Sequence, residues 1–297
     1  MEKLDETYTV YRLEDIIASS ERPECEVVVT SSGAGIDGET LAKLPTVRLV
    51  ANFGTGVDLI DLPYCAAHDI AVSHTPGVLT EDVADLALAL ILATVRQVAS
   101  ADRFVRAGRW KSEKFHLTQS LRGLNVGLVG MGQIGREIAR LCTAFSCQIA
   151  YFGPNKKDVA YGYYPDLHQL AAWADVLIAA CPGGESTQGL ISAEVLDMLG
   201  TKGFFINIAR GSVVDEAALI ERLRTGAIAG AGLDVYNGEP DIAEQLLALD
   251  NVVLQPHLGS ATQRTRMEMG NLTRANVAAY FAGKPLPTPV PLAASLS

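Results

Sequence analysis

The run Val126-Gly127-Leu128-Val129, followed directly by Gly130-Met131-Gly132-Gln133-Ile134-Gly135, restricts the possible folds of this chain more than any other segment. The first four residues read as a buried strand. Ile138, Leu141, Cys142 and Phe145 then recur at helical spacing just beyond. A strand-to-helix turn with glycine at these three places has a specific use. Gly130 permits the tight turn, Gly132 lets backbone approach a pyrophosphate, and Gly135 lets helix and strand pack closely. The helix N-terminus adds unpaired N–H groups for the phosphates. Glycines at this spacing are weak evidence alone and become specific between a strand and a helix. Gly130, Met131, Gly132, Gln133 and Ile134 are therefore expected to bind a dinucleotide.

The surrounding pattern agrees. Strand candidates at Asn125 to Val129, Gln148 to Phe152, Val176 to Ala180, Phe204 to Ile208, Ile228 to Leu233 and Val252 to Gln255 alternate with helical stretches. Six such strands predict one doubly wound parallel sheet. An earlier series, Glu26 to Thr30, Val47 to Ala51 and Ile70 to Ser73, predicts a second one, with helices at Gly38 to Leu44 and Leu62 to His68. At 297 residues two α/β domains are expected. Thr80 is placed as the cap of an Ala- and Leu-rich helix with Glu81 and Asp82 in its first turn, running to about Val98. A long helix over Thr262 to Phe281 precedes a proline-rich tail. Residues 1–99 and 284–297 are read as one domain and 100–283 as a dinucleotide-binding domain inserted into it.

A formal net charge of -10 argues against nucleic acid or an anionic membrane surface as partner. The longest apolar stretch, Leu86 to Val95, is far short of the roughly 20 residues a membrane span needs. Five scattered cysteines, with no CxxC and no His/Cys cluster, read as reduced thiols in a cytoplasmic protein without a metal.

The second strand of the dinucleotide series ends in Tyr151-Phe152-Gly153-Pro154-Asn155-Lys156-Lys157. An NAD enzyme carries an acid there, about 20 residues after the glycines, for the ribose 2′-hydroxyl. No acid is present and two lysines follow. Gly153, Asn155, Lys156 and Lys157 thus favour a 2′-phosphate, and NADP(H) is expected in preference to NAD(H), which remains an alternative.

Three polar residues stand at or beyond strand ends, where open α/β sheets place ligands: Arg210, Glu239 and His257. Reduction of a 2-oxo acid needs a cation for the carboxylate, a proton donor and a hydride donor. Arg210 suits the first and His257 the second, with Glu239 able to favour the charged imidazole. His68, His74, His116 and His168 lack such a frame and are read as structural, and Trp110 as packing or a subunit contact.

The segments Ile208-Ala209-Arg210-Gly211, Gly238-Glu239-Pro240, Pro256-His257-Leu258-Gly259-Ser260-Ala261-Thr262, Gly54-Thr55-Gly56-Val57-Asp58 and Thr75 to Asp85 together resemble the D-isomer-specific 2-hydroxyacid dehydrogenase family. Asp158 to Tyr161, Tyr163-Tyr164-Pro165 and Thr118-Gln119-Ser120 are most similar to its glyoxylate and hydroxypyruvate reductase branch. The resemblance implies a Rossmann cofactor domain inserted into a flavodoxin-like substrate domain, and a homodimer through the cofactor domains. It also implies that NADPH reduces glyoxylate or hydroxypyruvate. It places the Thr55 and Gly56 N–H groups at the substrate carboxylate, Leu79 in the pocket wall, and Asp234 and Ser260 near the nicotinamide. A lactate-type dehydrogenase and a dinucleotide-sensing, co-repressor-like protein are the alternatives.

Two departures from the family stand out. NADPH-using relatives often carry arginine where this chain has Pro154, so either Lys156 and Lys157 substitute or the preference for NADPH is blunted. The family also opens with a strand before the segment matching Leu4 to Leu13, and Met1 falls inside that opening helix pattern. Either the start is misassigned or the sequence truncated, or the first strand of the substrate domain is truly missing, in which case its sheet is expected to have exposed edges.

Overall fold

The computed structural model describes residues 4–19 and 23–292; Met1 and the last part of the 284–297 segment lie outside them. In chain order, α1 (Leu13–Ala18), β1 (Val27–Ser31), α2 (Gly38–Ala42), β2 (Leu49–Phe53), α3 (Leu62–Ala67) and β3 (Ala71–Ser73) come first. Next are α4 (Thr80–Val95), α5 (Val98–Arg106), β4 (Asn125–Val129), α6 (Gln133–Thr143), β5 (Gln148–Phe152), β6 (Gly162–Tyr164), α7 (Leu167–Trp173) and β7 (Val176–Ala179). The series ends with α8 (Ala193–Leu199), β8 (Phe204–Asn207), α9 (Glu216–Thr225), β9 (Gly230–Leu233), α10 (Glu244–Leu247), β10 (Val252–Leu254) and α11 (Gln263–Phe281).

These form two compact units, residues 1–79 with 263–297 and residues 80–262. The divisions fall at 79/80 and 262/263, not at the expected 99/100 and 283/284. The reason is packing: α4 lies on α6 and on β8 to β10, whereas α11 lies on β2.

In the first unit, β1, β2 and β3 form a wholly parallel sheet in that order. Val50, Val72, Leu41, Cys65 and Ile60 fill one core, and Leu49, Ala51 and Val277 of α11 another. Local chemistry sets the helix starts: Asp37 and Asp61 each accept a backbone N–H three residues on, from Thr40 and Tyr64. The outer edge of β3 is covered where the Val290 N–H donates to the Val72 carbonyl. Among the described residues no strand covers the outer edge of β1. The expected opening helix is only a turn at Leu4–Thr7, since Leu4 alone is buried there; regular helix begins at Leu13.

The second unit is a seven-stranded parallel sheet of order β10-β9-β8-β7-β4-β5-β6. Six strands were expected; the seventh, β6, is a three-residue edge too short to register as a period. The order reverses between β4 and β7, where open α/β sheets bind ligands. Strands β7, β8 and β9 are buried along their whole length, which accounts for runs that are apolar but for Asn207 at the end of β8. Glycines in β9 let α4 approach: a Cβ on Gly232 would stand 2.8 Å from Thr94 Oγ1 and 3.2 Å from Leu90 Cβ.

Three local expectations change. Thr80 is the first helical residue rather than the cap. Helix α4 stops at Val95, because Gln97 turns left-handed at φ +51° and α5 departs at 57°. No glycine or proline marks that break, so the apolar pattern ran on through it. Trp110 is 70% exposed and is not packed within its own chain. Among the described residues no single helix is long and apolar enough to cross a membrane.

Candidate active site

The glycine turn joins β4 to α6 with the geometry its spacing implies. Gly130 has φ +107°, and a Cβ there would come within 2.8 Å of the Ala180 carbonyl oxygen at the end of β7. At Gly135 a Cβ would stand 2.4 Å from the Gly130 carbonyl, so the helix can start this close only without a side chain. Gly132 is the residue before α6. A Cβ on it would meet nothing within 4 Å, and no side chain caps the helix there. An open, uncapped helix N-terminus behind a tight turn fits a pyrophosphate. Met131 is buried, Ile134 half-buried and Gln133 exposed.

Downstream of β5 the expected 2′-phosphate segment is ordered by the sheet itself. Asn155, Lys156 and Lys157 are exposed and Gly153 is half-buried. The Tyr151 hydroxyl accepts from the Lys157 N–H at 2.6 Å.

The catalytic candidates lie on loops that leave β8, β9 and β10 at one end of the sheet. His257 Nδ1 and Glu239 Oε2 are 2.7 Å apart, and Glu239 Oε1 accepts from the Tyr236 N–H at 2.8 Å. That second bond fixes the carboxylate plane. His257 sits at φ +53°, its N–H donating to the Asp234 carbonyl. The Asp234 carboxylate accepts from the N–H groups of Leu258 and Gly259 at 2.6 and 2.9 Å, which holds the segment leading into Ser260.

Asn207 shapes the turn of Arg210 by donating to the Arg210 carbonyl and accepting from the Ala209 N–H, both at 3.0 Å. Gly211 lets this turn press onto the β9 loop, since a Cβ there would lie 2.0 Å from Tyr236 backbone. The charge of Arg210 reaches both Glu239 and His257.

The electrostatics follow from these contacts. The hydrogen bond to Glu239 raises the His257 pKa above the ordinary 6.5; burial opposes this, the charges of Glu239 and Asp234 add to it, and Arg210 works against it. Burial alone would raise the Glu239 carboxyl, but the bonds from His257 and Tyr236 and the charges of His257 and Arg210 hold it below its usual range. Asp234 is raised by burial despite its two N–H donors.

Thr55 and Gly56 belong to the first unit, on the loop after β2. Asn52 and Ser32, which the sequence reading does not single out, and His74, which it reads as structural, tie that loop's carbonyls. Asn52 donates to Gly54 and Gly56 at 3.1 and 2.8 Å, and Ser32 donates to Gly56 at 2.7 Å. His74 Nδ1 lies 3.0 Å from the Thr55 carbonyl, and since a carbonyl only accepts, Nδ1 carries the proton. A polar Asn52 in an otherwise apolar strand run was the one available signal. Leu79 is buried at the end of this unit's first segment. His68, His116 and His168 bond to Tyr64, Gln97 and Asp166 respectively.

A family model described as D-isomer specific 2-hydroxyacid dehydrogenase, NAD binding domain, matches residues 88–259. The chain belongs to this family. It is 46% identical to glyoxylate/hydroxypyruvate reductase A of Arabidopsis thaliana, over 93% of this chain and 88% of that one. Identity to hydroxyphenylpyruvate reductase of Plectranthus scutellarioides is also 46%, over 89% and 84% of the two chains. Among solved structures, an NADPH-dependent glyoxylate/hydroxypyruvate reductase of Sinorhizobium meliloti in complex with NADP and malonate matches with TM-score 0.92 and 40% identity, covering 97% and 92%. The dehydrogenase is thus an NAD(P)-dependent oxidoreductase of two α/β units, as the motifs implied.

Proposed function

We propose that this dehydrogenase reduces glyoxylate or hydroxypyruvate to the D-2-hydroxy acid with NADPH. The observation that carries the reading is the Glu239–His257 pair at 2.7 Å within reach of the Arg210 charge, on the sheet that bears the glycine turn. Names of the relatives supply the substrate class. The second unit takes the dinucleotide. In the first, the carbonyls of the Thr55–Gly56 loop are tied by Asn52, Ser32 and His74, which leaves that loop's N–H groups to an anion. Asp234 and Ser260 are the second-unit residues that would flank the nicotinamide.

Bound NADPH supplies the hydride. Arg210 grips the carboxylate and carbonyl oxygen as a fork and polarises the carbonyl. His257 delivers the proton to that oxygen as the carbon is reduced, and Glu239 keeps the imidazole charged and oriented. The His257 ring and the Glu239 carboxylate are both partly exposed, so water screens part of their attraction and the 2.7 Å hydrogen bond carries the rest.

Protonated His257 is the working form for reduction. Its pKa lies above 6.5, so kcat/KM is flat at lower pH and falls about tenfold per unit once pH passes that value. Oxidation of the hydroxy acid needs the neutral ring and rises through the same value. Glu239→Gln removes the raising partner, so the alkaline fall begins at lower pH; a pH–rate profile that does not move contradicts the role of Glu239.

NADPH consumption across glyoxylate, hydroxypyruvate, pyruvate and phenylpyruvate tests the substrate, and equal kcat/KM with NADH refutes the cofactor preference. No turnover of any of the four refutes the enzymatic reading. We also propose a homodimer through the cofactor units. Val98, Val105, Trp110 and Leu117 are exposed apolar groups on one segment, beside a cavity of about 550 Å³ lined by Phe104 and Phe115 and by polar groups that include Arg103, Arg109 and Asp250. A monomeric mass by light scattering would count against it. Five free cysteines favour the cytoplasm.

A further inference from the structure

Strand β6 was invisible in the sequence pattern, and the motif it carries, Tyr163-Tyr164, has no part in the chemistry above. Its position gives it one. Tyr163 on β6 is the register partner of Tyr151 on β5, with ring centroids 5.3 Å apart. Both hydroxyls leave the sheet toward the same loop, the one that follows β5.

The Tyr151 ring is buried. Its hydroxyl accepts from the Lys157 N–H at 2.6 Å and lies 3.3 Å from the Lys157 carbonyl, to which it donates. The half-buried Tyr163 donates to the Gly153 carbonyl at 3.2 Å. The loop from Gly153 to Lys157 is therefore pinned at both ends by phenols rooted in two paired strands. Between the pins stand Pro154, Asn155 and Lys156.

We propose that Tyr151 and Tyr163 are positioning residues for recognition of the cofactor 2′-phosphate. The inference rests on the reading of Lys156 and Lys157 as the phosphate-binding pair. Lysine is a flexible point charge, and gripping a dianion orders a long side chain together with its backbone. A backbone pinned beforehand removes part of that ordering from the binding step. NADH has no 2′-phosphate and draws little from the brace.

The test is steady-state kinetics of Tyr151→Phe, Tyr163→Phe and the double variant with each cofactor, beside Lys156→Ala/Lys157→Ala. Each phenylalanine variant keeps the ring and loses only the hydroxyl. Single variants are expected to raise KM for NADPH about threefold and the double variant about tenfold, within what loss of the one to three hydrogen bonds made by these hydroxyls allows. The KM for NADH and kcat with both cofactors should stay within about twofold, a split that a merely destabilised fold would not produce. Tyr163→Phe, on the half-buried edge strand, keeps the test open should Tyr151→Phe fail to fold.

If the lysine variant raises the NADPH KM alone while the tyrosine variants change both cofactors equally or neither, the brace is refuted and the lysine reading stands. If the lysine variant leaves the NADPH KM unchanged, both are refuted.

Discussion

His257→Ala is expected to lower kcat/KM for 2-oxo acid reduction by about a thousandfold, the middle of the range for removing a general acid. Affinity for NADPH, read by fluorescence titration, should be unchanged, because the glycine turn and the β5 loop lie on other strands. His257 is held from two sides: Glu239 Oε2 at 2.7 Å from its ring and the Asp234 carbonyl on its N–H. Removing the imidazole leaves that scaffold standing, so the loss should appear in kcat. The remaining rate should also lose the alkaline fall assigned to His257. A variant that keeps more than about a tenth of wild-type kcat/KM would show that another group delivers the proton.

Arg210→Lys is expected to cost about a hundredfold in kcat/KM despite keeping the charge. A fork that bonds carboxylate and carbonyl oxygen at once cannot be replaced by a point charge that reaches one of them. Loss should be shared between KM, from the carboxylate, and kcat, from the carbonyl. Arg210→Gln should lose more, since it also removes the cation. Its neighbours predict a second effect: Arg210 opposes the charging of His257, so Arg210→Gln should move the alkaline fall to higher pH, opposite to Glu239→Gln. Near wild-type kcat/KM for Arg210→Lys would argue against bidentate binding.

Much of this was legible in the chain. The glycine turn could be read because each glycine answers a separate local requirement; Gly130 takes the positive φ of a tight turn and Gly135 the close approach of helix to turn. Arg210, Glu239 and His257 could be read because each lies beyond an apolar strand run, and parallel strands bring their C-terminal ends to one side of a sheet. Strand β6 could not, since three residues with one face half-exposed carry no period. The end of α4 could not either, because Gln97 takes up a left-handed conformation without the glycine that usually marks one.

His74 shows the same limit from the other side. A histidine between Ser73 and Thr75 carries no sign of purpose, and its bond to the Thr55 carbonyl exists only because β2 and β3 lie side by side.

The sequence by itself determined the fold class, the dinucleotide turn and the three polar residues at the strand ends, because local backbone demands and apolar periodicity are written in consecutive residues. Tertiary structure alone decided which unit α4 and α11 join, how Glu239 meets His257, and that two tyrosines pin the loop after β5. Those outcomes depend on contacts between residues distant in the chain, and packing brings such residues together without leaving a pattern in the order of either partner.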